Sequence, residues 1–176
     1  MTNPTNPPRL DAEALYGTLL LQVQRALAGV ADVALVGIHS GGAWLAERLA
    51  KDLQQEARLG FIDVSFYRDD YAQKGLHADV KPTQIPFDVN GATIVLVDDV
   101  LYTGRTTRAA INELFDYGRP ARIVLAALVD RGGRELPIAA DCVAATVTLE
   151  QHQSLILGRA ADGQLTLTID HDHDHA

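Results

Sequence analysis

The hydrophobic residues of the chain follow two patterns that alternate along its length. Residues 33–38, 93–97 and 122–129 are continuous apolar runs of strand length, which are typical of strands buried on both faces of a parallel sheet. Other stretches place apolar residues about one helical turn apart, for example Leu19 and Val23, which predicts amphipathic helices. The alternation predicts an α/β fold, and we expect the run at 93–97 to lie in the middle of its sheet.

Cap and turn residues mark the ends of the other elements. Asp11 is suited to cap the first helix, Gly29 ends it, and Gly118 with Pro120 stops the last one. The patterns predict further helices at 43–57 and 107–117 and short strands at 60–67, 142–147, 155–157 and 165–169. We expect the last three of these strands to complete the sheet.

Length and composition indicate a single domain. The chain has 176 residues, 47% of them hydrophobic, which suits one substantial core. We predict a disordered leader at 1–10, one domain at 11–169 and a disordered tail of alternating histidine and aspartate at 170–176. No metal site is assigned to this tail.

Charge and cysteine content exclude some classes of protein. The formal net charge of −8 argues against a protein that generally coats nucleic acid. The single cysteine, Cys142, cannot form an intramolecular disulfide and is interpreted as a buried structural thiol. No apolar run is long enough to span a bilayer, and the first residues lack the features of a signal peptide. We therefore expect a cytoplasmic protein with no membrane partner.

Chemistry is concentrated directly after the central apolar run. Two carboxylates are followed there by a hydroxyl-rich turn with one arginine: Asp98, Asp99, Thr103, Gly104, Arg105, Thr106 and Thr107. Ligands of α/β sheets bind beyond the carboxyl ends of strands, where the next helix offers unpaired N–H groups to a phosphate. Carboxylates would repel that phosphate, so we assign them to the hydroxyls of an attached sugar or to Mg²⁺ held through water. A turn and helix N-cap without a ligand is the alternative.

The segment from Ile94 to Thr106 resembles the 5-phosphoribosyl-1-diphosphate (PRPP) signature of type I phosphoribosyltransferases: an apolar strand, two acids, three variable positions, and then T-G-[KR]-[ST]. Within that group VLVDDVLYTGRT is similar to the PyrR family, the pyrimidine operon attenuators that are also uracil phosphoribosyltransferases. The resemblance covers residues 33–143. It implies the type I phosphoribosyltransferase fold, a mostly parallel sheet flanked by helices, with a flexible lid loop and a small hood of short strands.

The resemblance also implies the roles of the central residues. The phosphate of PRPP or UMP would be bound by the turn residues Tyr102, Thr103, Gly104, Arg105 and Thr106. The residues implied as catalytic are Asp98, Asp99, Arg68 and Arg105, with Mg²⁺ as cofactor held indirectly by the two aspartates through water or substrate.

A second strand-loop-helix unit, LVGIHSGGAWLAERLA, is similar to the diphosphate loop of the family, formed here by His39, Ser40 and Gly41. A small loop of this kind can turn successive N–H groups toward one anion, and a simple glycine turn is the alternative. Family members carry an arginine immediately before the last glycine of the loop, where this chain has Gly41. Either His39 or a neighbouring subunit compensates for that cation, or turnover is weaker.

Two further segments resemble the lid and the base site of the family. YRDD is similar to the start of the flexible loop, where Arg68 would reach the diphosphate, and a solvated charged hairpin is the alternative. VDRG stands where the base would dock, which nominates Asp130 and Arg131. A capping acid and a surface arginine are the alternative interpretation of that pair.

The implied reaction converts uracil and PRPP to UMP and diphosphate. Tyr102 favours a pyrimidine, because purine-salvage relatives carry an aspartate at this position and a phenol is a poor base at neutral pH. A purine phosphoribosyltransferase is one alternative, and an RNA-binding attenuation regulator with little catalysis is another. The resemblance further implies a homo-oligomer, either a dimer or a tetramer.

The resemblance also implies UMP-dependent binding of pyr mRNA leader RNA. RNA binding requires a basic surface. The first helix offers only Arg25 and has Leu20, Leu21 and Gln24 where relatives place polar or basic residues. We therefore predict that control through RNA is weakened or lost in this chain.

Overall fold

A computed structural model describes residues 10–64 and 82–171 of the chain. The helices are α1 (Ala12–Ala26), α2 (Gly41–Asp52) and α3 (Arg105–Tyr117), with a short 3₁₀ turn at Glu56–Arg58. The strands are β1 (Val33–Ile38), β2 (Leu59–Ile62), β3 (Thr93–Leu101), β4 (Arg122–Asp130), β5 (Cys142–Thr146), β6 (Gln153–Arg159) and β7 (Leu165–His171).

Five parallel strands form the main sheet in the order β2-β1-β3-β4-β5. β3 is the central strand, which confirms the prediction from its apolar run. Its Val97 lies beside Gly37 of β1 and Ala126 of β4. Because all three strands run in the same direction, their carboxyl ends and the loops that follow them meet at one edge of the sheet.

The sheet is covered on both faces, and successive residues of β3 point to opposite sides. Val95 and Val97 join one core, formed with α1, α2 and the β6–β7 hairpin. Ile94 and Leu96 join the other core, formed with α3 and residues from the segment before β3. All four side chains are fully buried. Burial on both faces explains why the strand has a continuous apolar sequence instead of an alternating one.

Several predicted boundaries were wrong by a few residues. β3 continues to Leu101, so the two aspartates lie inside the strand and not in the loop after it. α3 begins at Arg105 instead of 107, and α2 begins at Gly41 instead of 43. α2 also ends at Asp52 instead of 57, close to Gln54, which has a φ of +57° that breaks the helical path. Residues 65–81, which include part of a predicted strand and the predicted lid, lie outside the described residues.

The expectation that three late strands complete the sheet was correct only for β5. β6 and β7 form their own antiparallel hairpin, which packs on α1 and α2 through Leu155, Leu157 and Leu165. The Leu165 N–H donates to Glu13 of α1 at 2.8 Å. β6 and β7 therefore pack on α1 and α2 and not on the main sheet, and their leucines extend the first core beyond that sheet.

Both ends of the predicted domain also differ slightly from the expectation. β7 includes Asp170 and His171, which the sequence assigned to a disordered tail, because they pair with Ser154 and Gln153 of β6. Leu10, assigned to the leader, packs against the first core. Residues 1–9 and 172–176 lie outside the described residues.

A polar cluster joins α1 to α2. Arg48 of α2 forms two hydrogen bonds to Glu13, at 2.6 and 3.0 Å, and its guanidinium lies 4.2 Å above the Tyr16 ring. The Tyr16 hydroxyl donates to Asp52 at 2.5 Å. The bonds from Arg48 lower the pKa of Glu13, and burial raises the pKa of Tyr16. The cluster fixes α2, and therefore the loop at its amino end, relative to α1.

Within residues 10–64 and 82–171, no helix is both long and apolar enough to cross a bilayer.

Replacing Leu96 with alanine tests the central position of β3. Leu96 is fully buried, so the substitution is expected to lower the free energy of unfolding by about 2–5 kcal/mol through lost burial and a residual cavity. Leu21→Ala is the control, because Leu21 is 54% exposed and should change the value by less than about 0.5 kcal/mol. Urea denaturation measures both, and equal effects would contradict the assigned core.

Candidate functional site

Three loops meet at the carboxyl edge of the sheet. The β1–α2 loop comprises His39 and Ser40, the β3–α3 loop runs from residue 102 to 104, and the β4–β5 loop runs from residue 131 to 141. The register pairs Leu101 of β3 with Asp130 of β4, so the second and third loops begin side by side. The sequence-predicted site residues other than Arg68 lie in these loops or at the adjoining ends of strands and helices. Arg68 lies outside the described residues.

The β3–α3 loop has the backbone shape that an anion site requires. Gly104 has a φ of +93° and precedes α3, and a Cβ on it would lie 3.0 Å from the Ile138 side chain. Thr103 is buried, and its hydroxyl accepts the Arg105 N–H at 3.2 Å. Glycine is required here both for the left-handed backbone and for the close approach of Ile138.

A small, open hollow lies at the amino end of α3. It is lined by Asp98, Val100, Leu101, Tyr102, Gly104, Thr106 and Thr107. Thr107 is only 1% exposed, and its buried hydroxyl has no hydrogen-bond partner in the structure. An unpaired buried hydroxyl is unfavourable, so its presence beside a polar hollow indicates a place for a ligand oxygen or a water molecule.

Two carboxylates lie near the end of β3. Asp98 is 3% exposed, and its Oδ1 accepts the Asp99 N–H at 2.9 Å. Asp99 Oδ1 accepts the Val100 N–H at 2.8 Å. These local bonds orient both side chains near the end of β3, where Asp98 lines the hollow and Asp99 lies against Gly41. Each carboxylate therefore accepts a hydrogen bond from the backbone of its own strand.

The carboxylates do not form a complete metal centre by themselves. Within the part of the chain that the structure describes, no group of three or more histidine, cysteine, aspartate or glutamate residues could hold a metal ion. Mg²⁺ commonly uses one or two carboxylates together with water and substrate phosphates. Asp98 and Asp99 supply oxygen ligands of that kind, so the residues fit a cation that arrives with a phosphorylated substrate.

The β1–α2 loop lies directly against the carboxylates. The His39–Ser40 peptide is cis, and the His39 N–H donates to the Ile62 carbonyl at 2.9 Å. A Cβ on Gly41 would lie 2.8 Å from Asp99 Cγ, and one on Gly42 would meet the backbone of Val97 and Asp98. A side chain at position 41 therefore requires Asp99 to move.

The β4–β5 loop is held by an arginine that the sequence analysis did not nominate. Arg134 forms two hydrogen bonds to Asp130, at 2.6 and 2.9 Å. Asp130 also accepts the Gly132 N–H at 2.9 Å. The bond from Arg134 and the Gly132 N–H lower the pKa of Asp130. Asp130 thus holds its own loop, and a contact of its side chain with a base stays a prediction.

Tyr102 is enclosed by the same loop. The Arg131 guanidinium lies 3.9 Å from the centre of the Tyr102 ring, and a Cβ on Gly133 would lie 2.6 Å from that ring. The Arg131 N–H donates to the Leu101 carbonyl at 3.0 Å, while its Nε is buried without a hydrogen-bond partner. The stacked arginine and tyrosine form a flat surface between the two loops.

Arg105 already has an acidic partner. Its Nη2 lies 2.8 Å from Glu135 Oε2, and both side chains are about half exposed. Exposed pairs of this kind contribute little stability because water screens them. Arg105 can therefore exchange Glu135 for a bound phosphate at small cost.

Arg134 and Glu135 were missed because the sequence analysis looked only at residues next to the strand end. The available signal was the spacing in D-R-G-G-R-E, where two glycines allow the chain to fold an arginine back onto the aspartate four residues earlier. Both glycines, Gly132 and Gly133, have positive φ angles, +71° and +77°. Such a turn is accessible mainly to glycine.

Comparison with known proteins identifies relatives of the chain. The family described as Phosphoribosyl transferase domain matches residues 10–154. The Bifunctional protein PyrR of Ralstonia nicotianae is 53% identical over 165 residues, which cover 91% of this chain and 94% of the relative. The protein of the same name from Nitrosococcus oceani is 46% identical over 159 residues, which cover 88% and 90%.

A solved structure supports the same fold. It is a hypoxanthine phosphoribosyl transferase of Trypanosoma cruzi, which superposes with a TM-score of 0.61 at 21% identity and covers 85% of this chain and 83% of its own. At that identity the similarity concerns the fold alone.

Substituting Gly41 with alanine tests the contact between the β1–α2 loop and Asp99. The added methyl group overlaps the Asp99 side chain, so we expect a loss of about 1–3 kcal/mol in the free energy of unfolding. Gly17→Ala is the matched control in the interior of α1, where nothing lies within 4 Å, and it should stabilise the protein by about 0.5–1 kcal/mol. Chemical denaturation of both variants measures the difference, and a stabilising Gly41→Ala would refute the contact.

Proposed function

This chain belongs to the PyrR family of phosphoribosyltransferases, and we propose that the hollow at the carboxyl edge of its sheet is where PRPP and uracil are converted to UMP and diphosphate. In this reaction the bond from ribose C1 to the diphosphate oxygen breaks and a bond from C1 to a uracil nitrogen forms. The uracil proton leaves to solvent. The observation that carries the proposal is the unpaired Thr107 hydroxyl at the amino end of α3, one loop away from two ordered carboxylates.

The 5-phosphate would bind at the amino end of α3. The first N–H groups of a helix and the positive end of its dipole favour an anion there. Gly104 allows the phosphate to approach the backbone, and the Thr106 and Thr107 hydroxyls line the same hollow. Arg105 would turn from Glu135 to the phosphate. These contacts would fix one end of the substrate.

Asp98 and Asp99 would bind the ribose hydroxyls and hold Mg²⁺ through water or through the substrate. The bound Mg²⁺ would neutralise charge on the diphosphate leaving group. The carboxylates are already oriented by backbone N–H groups, so little rearrangement would be needed as positive charge develops at C1.

The diphosphate would lie at the β1–α2 loop. His39, Ser40 and Gly41 precede or begin α2, whose amino end offers backbone N–H groups. The loop carries no arginine, so stabilisation of the leaving group would depend more on the backbone and on Mg²⁺. A contribution from Arg68, outside the described residues, stays a prediction.

The base would lie beside Tyr102 and the β4–β5 loop. Tyr102 stacks on Arg131, and a phenol in this position is a poor proton acceptor at neutral pH. A pyrimidine that reacts without a side-chain base therefore suits the site better than a purine does. A purine phosphoribosyltransferase is the alternative to be tested.

The test is release of diphosphate from PRPP and Mg²⁺ with uracil or hypoxanthine as the acceptor. We expect release with uracil and only background with hypoxanthine. The double variant Asp98→Asn/Asp99→Asn should lose about 100-fold or more of the rate, because two charges that face the developing positive centre are removed. Asp116→Asn, an exposed carboxylate of α3, is the control and should keep full activity. Release with hypoxanthine alone, or an undiminished double variant, would refute the proposal.

The relatives are named as bifunctional, and for this chain a regulatory function through RNA stays a proposal. The outer side of α1 exposes Leu21 and Gln24 beside a single arginine, Arg25. This surface offers little positive charge to an RNA backbone. We expect pyr leader RNA, with UMP present, to bind weakly and with a shallow dependence on salt. Tight and strongly salt-dependent binding in a filter or mobility-shift assay would contradict that expectation.

A dimer or tetramer also stays a prediction. Four large apolar side chains are exposed on the described part of the chain: Leu21, Phe115, Tyr117 and Ile156. They are distributed over α1, α3 and β6, and single exposed apolar residues are common in monomers. These side chains therefore do not identify the surface through which copies would associate.

A further inference from the structure

The guanidinium of Arg134 joins three separate parts of the site. Its Nη1 and Nη2 bond to Asp130 at the end of β4. Nη1 also donates to the Tyr102 carbonyl at 2.8 Å, and Nε donates to the Ile138 carbonyl at 2.8 Å. One side chain therefore connects the end of β4, the β3–α3 loop and the far end of the segment 131–138, which we call the acceptor loop.

The acceptor loop rests on the β3–α3 loop along its whole length. The N–H groups of Glu135 and Leu136 donate to the Thr103 carbonyl at 2.9 and 3.1 Å. Ile138 packs against Gly104, and Arg131 stacks on Tyr102. The loop beside the base and the loop beside the phosphate are therefore parts of one assembly, and the hydrogen bonds of Arg134 join both of them to β4.

The geometry of this joint is specific for arginine. The planar guanidinium offers donors in a fixed fork, which matches a carboxylate on one side and carbonyl groups on the other. The side chains of Arg134 and Asp130 are only 23% and 21% exposed, so water can replace these bonds only in part. A lysine would keep the positive charge, but its single nitrogen cannot reach all three groups in the same directions.

We propose that Arg134 is a positioning residue that sets the distance between the acceptor base and the ribose bound at the β3–α3 loop. The inference rests on the proposed function. All the hydrogen bonds that the structure gives its guanidinium go to three groups, the Asp130 carboxylate at the end of β4 and the carbonyls of Tyr102 and Ile138, and none goes to a helix. Its loss should therefore release the acceptor loop while leaving the phosphate-binding end of α3 in place.

The expected consequence is a selective loss of acceptor binding and alignment. A displacement of about 1 Å at a reacting centre can reduce a rate about 100-fold. In Arg134→Ala, the KM for uracil should rise about tenfold or more and kcat should fall, while the KM for PRPP should change less than about threefold. Added guanidinium ion should restore part of the rate to this variant, because it can occupy the vacated fork.

Two further variants separate geometry from charge and from general stability. Arg134→Lys should resemble Arg134→Ala in its KM for uracil, because charge without the fork does not join the three groups. Arg159→Ala is the matched control: Arg159 is also paired with a carboxylate, Glu47, and lies over an aromatic ring, that of Trp44, but both contacts join the β6–β7 hairpin to α2 and neither involves the acceptor loop. It should leave both KM values unchanged.

The outcomes that overturn the inference differ from those that overturn the reaction. If the wild type is active and Arg134→Ala raises the KM for uracil and the KM for PRPP equally, or raises neither, the positioning role alone is overturned. A wild type that releases no diphosphate with any base would overturn the proposed function and this inference with it. If Arg134→Ala does not fold, Asp130→Asn replaces it, because this substitution weakens the same hydrogen bonds. It should also raise the KM for uracil more than the KM for PRPP, and an equal change in both, or in neither, would overturn the positioning role.

Discussion

The parallel pairing of β1, β3 and β4 is the constraint on which the site depends. Because Val97 is flanked by Gly37 and Ala126, the three strands reach the edge of the sheet together and deliver three loops to one place. Each strand is held in register by apolar side chains buried on both faces. The positions of the polar site residues therefore depend on the packing of apolar side chains. A shift of one residue in the register of β3 would turn its side chains to the opposite faces of the sheet.

Close approach between the loops is a second constraint, and glycine satisfies it. Gly41 lies against Asp99, Gly104 against Ile138, and Gly133 against Tyr102. In each case the missing side chain allows a backbone from one loop to contact a side chain of the next. The reason for glycine differs among the three positions, because only Gly104 and Gly133 also have positive φ angles. At Gly41 the restriction is steric, because the Asp99 side chain lies where a Cβ would be placed.

The sequence predicted the parts of the fold that local pattern controls. The run at 93–97 was correctly identified as a central strand, and Asp11 does cap α1 by accepting the Ala14 N–H. The end of β3 was missed because carboxylates are unusual within a strand, and only the pairing with β4 extends it to Leu101. The separate β6–β7 hairpin was missed because its apolar residues meet α1 and α2, a tertiary contact that no local pattern encodes.

Within the site, sequence pattern located the loops but not the partners of their charged groups. The sequence analysis nominated both Asp130 and Arg131 as residues that contact a base. In the structure, Asp130 accepts hydrogen bonds from Arg134, and Arg131 stacks on Tyr102. The fold-back of the acceptor loop depends on two glycines with positive φ and on the carbonyl groups of Leu101, Tyr102 and Thr103, which lie far away in the chain. Such contacts follow from the folded arrangement and could not be derived from spacing alone.

The charges of the site explain why a cation should accompany the substrate. Among the described residues at this edge, Arg105 is paired with Glu135 and Arg134 with Asp130, while Asp98 and Asp99 add two further acids. The whole chain also has a net charge of −8. A substrate with several phosphate groups would therefore meet a site in which Arg105 and Arg134 are already paired with acids, and α-helix amino ends supply only partial positive charge. A divalent ion bound by the substrate would reverse this balance, because it converts the two aspartates from a repulsive feature into ligands. The half-exposed pair of Arg105 and Glu135 can then open toward the phosphate, whereas the more buried pair of Arg134 and Asp130 stays closed and keeps the acceptor loop in place.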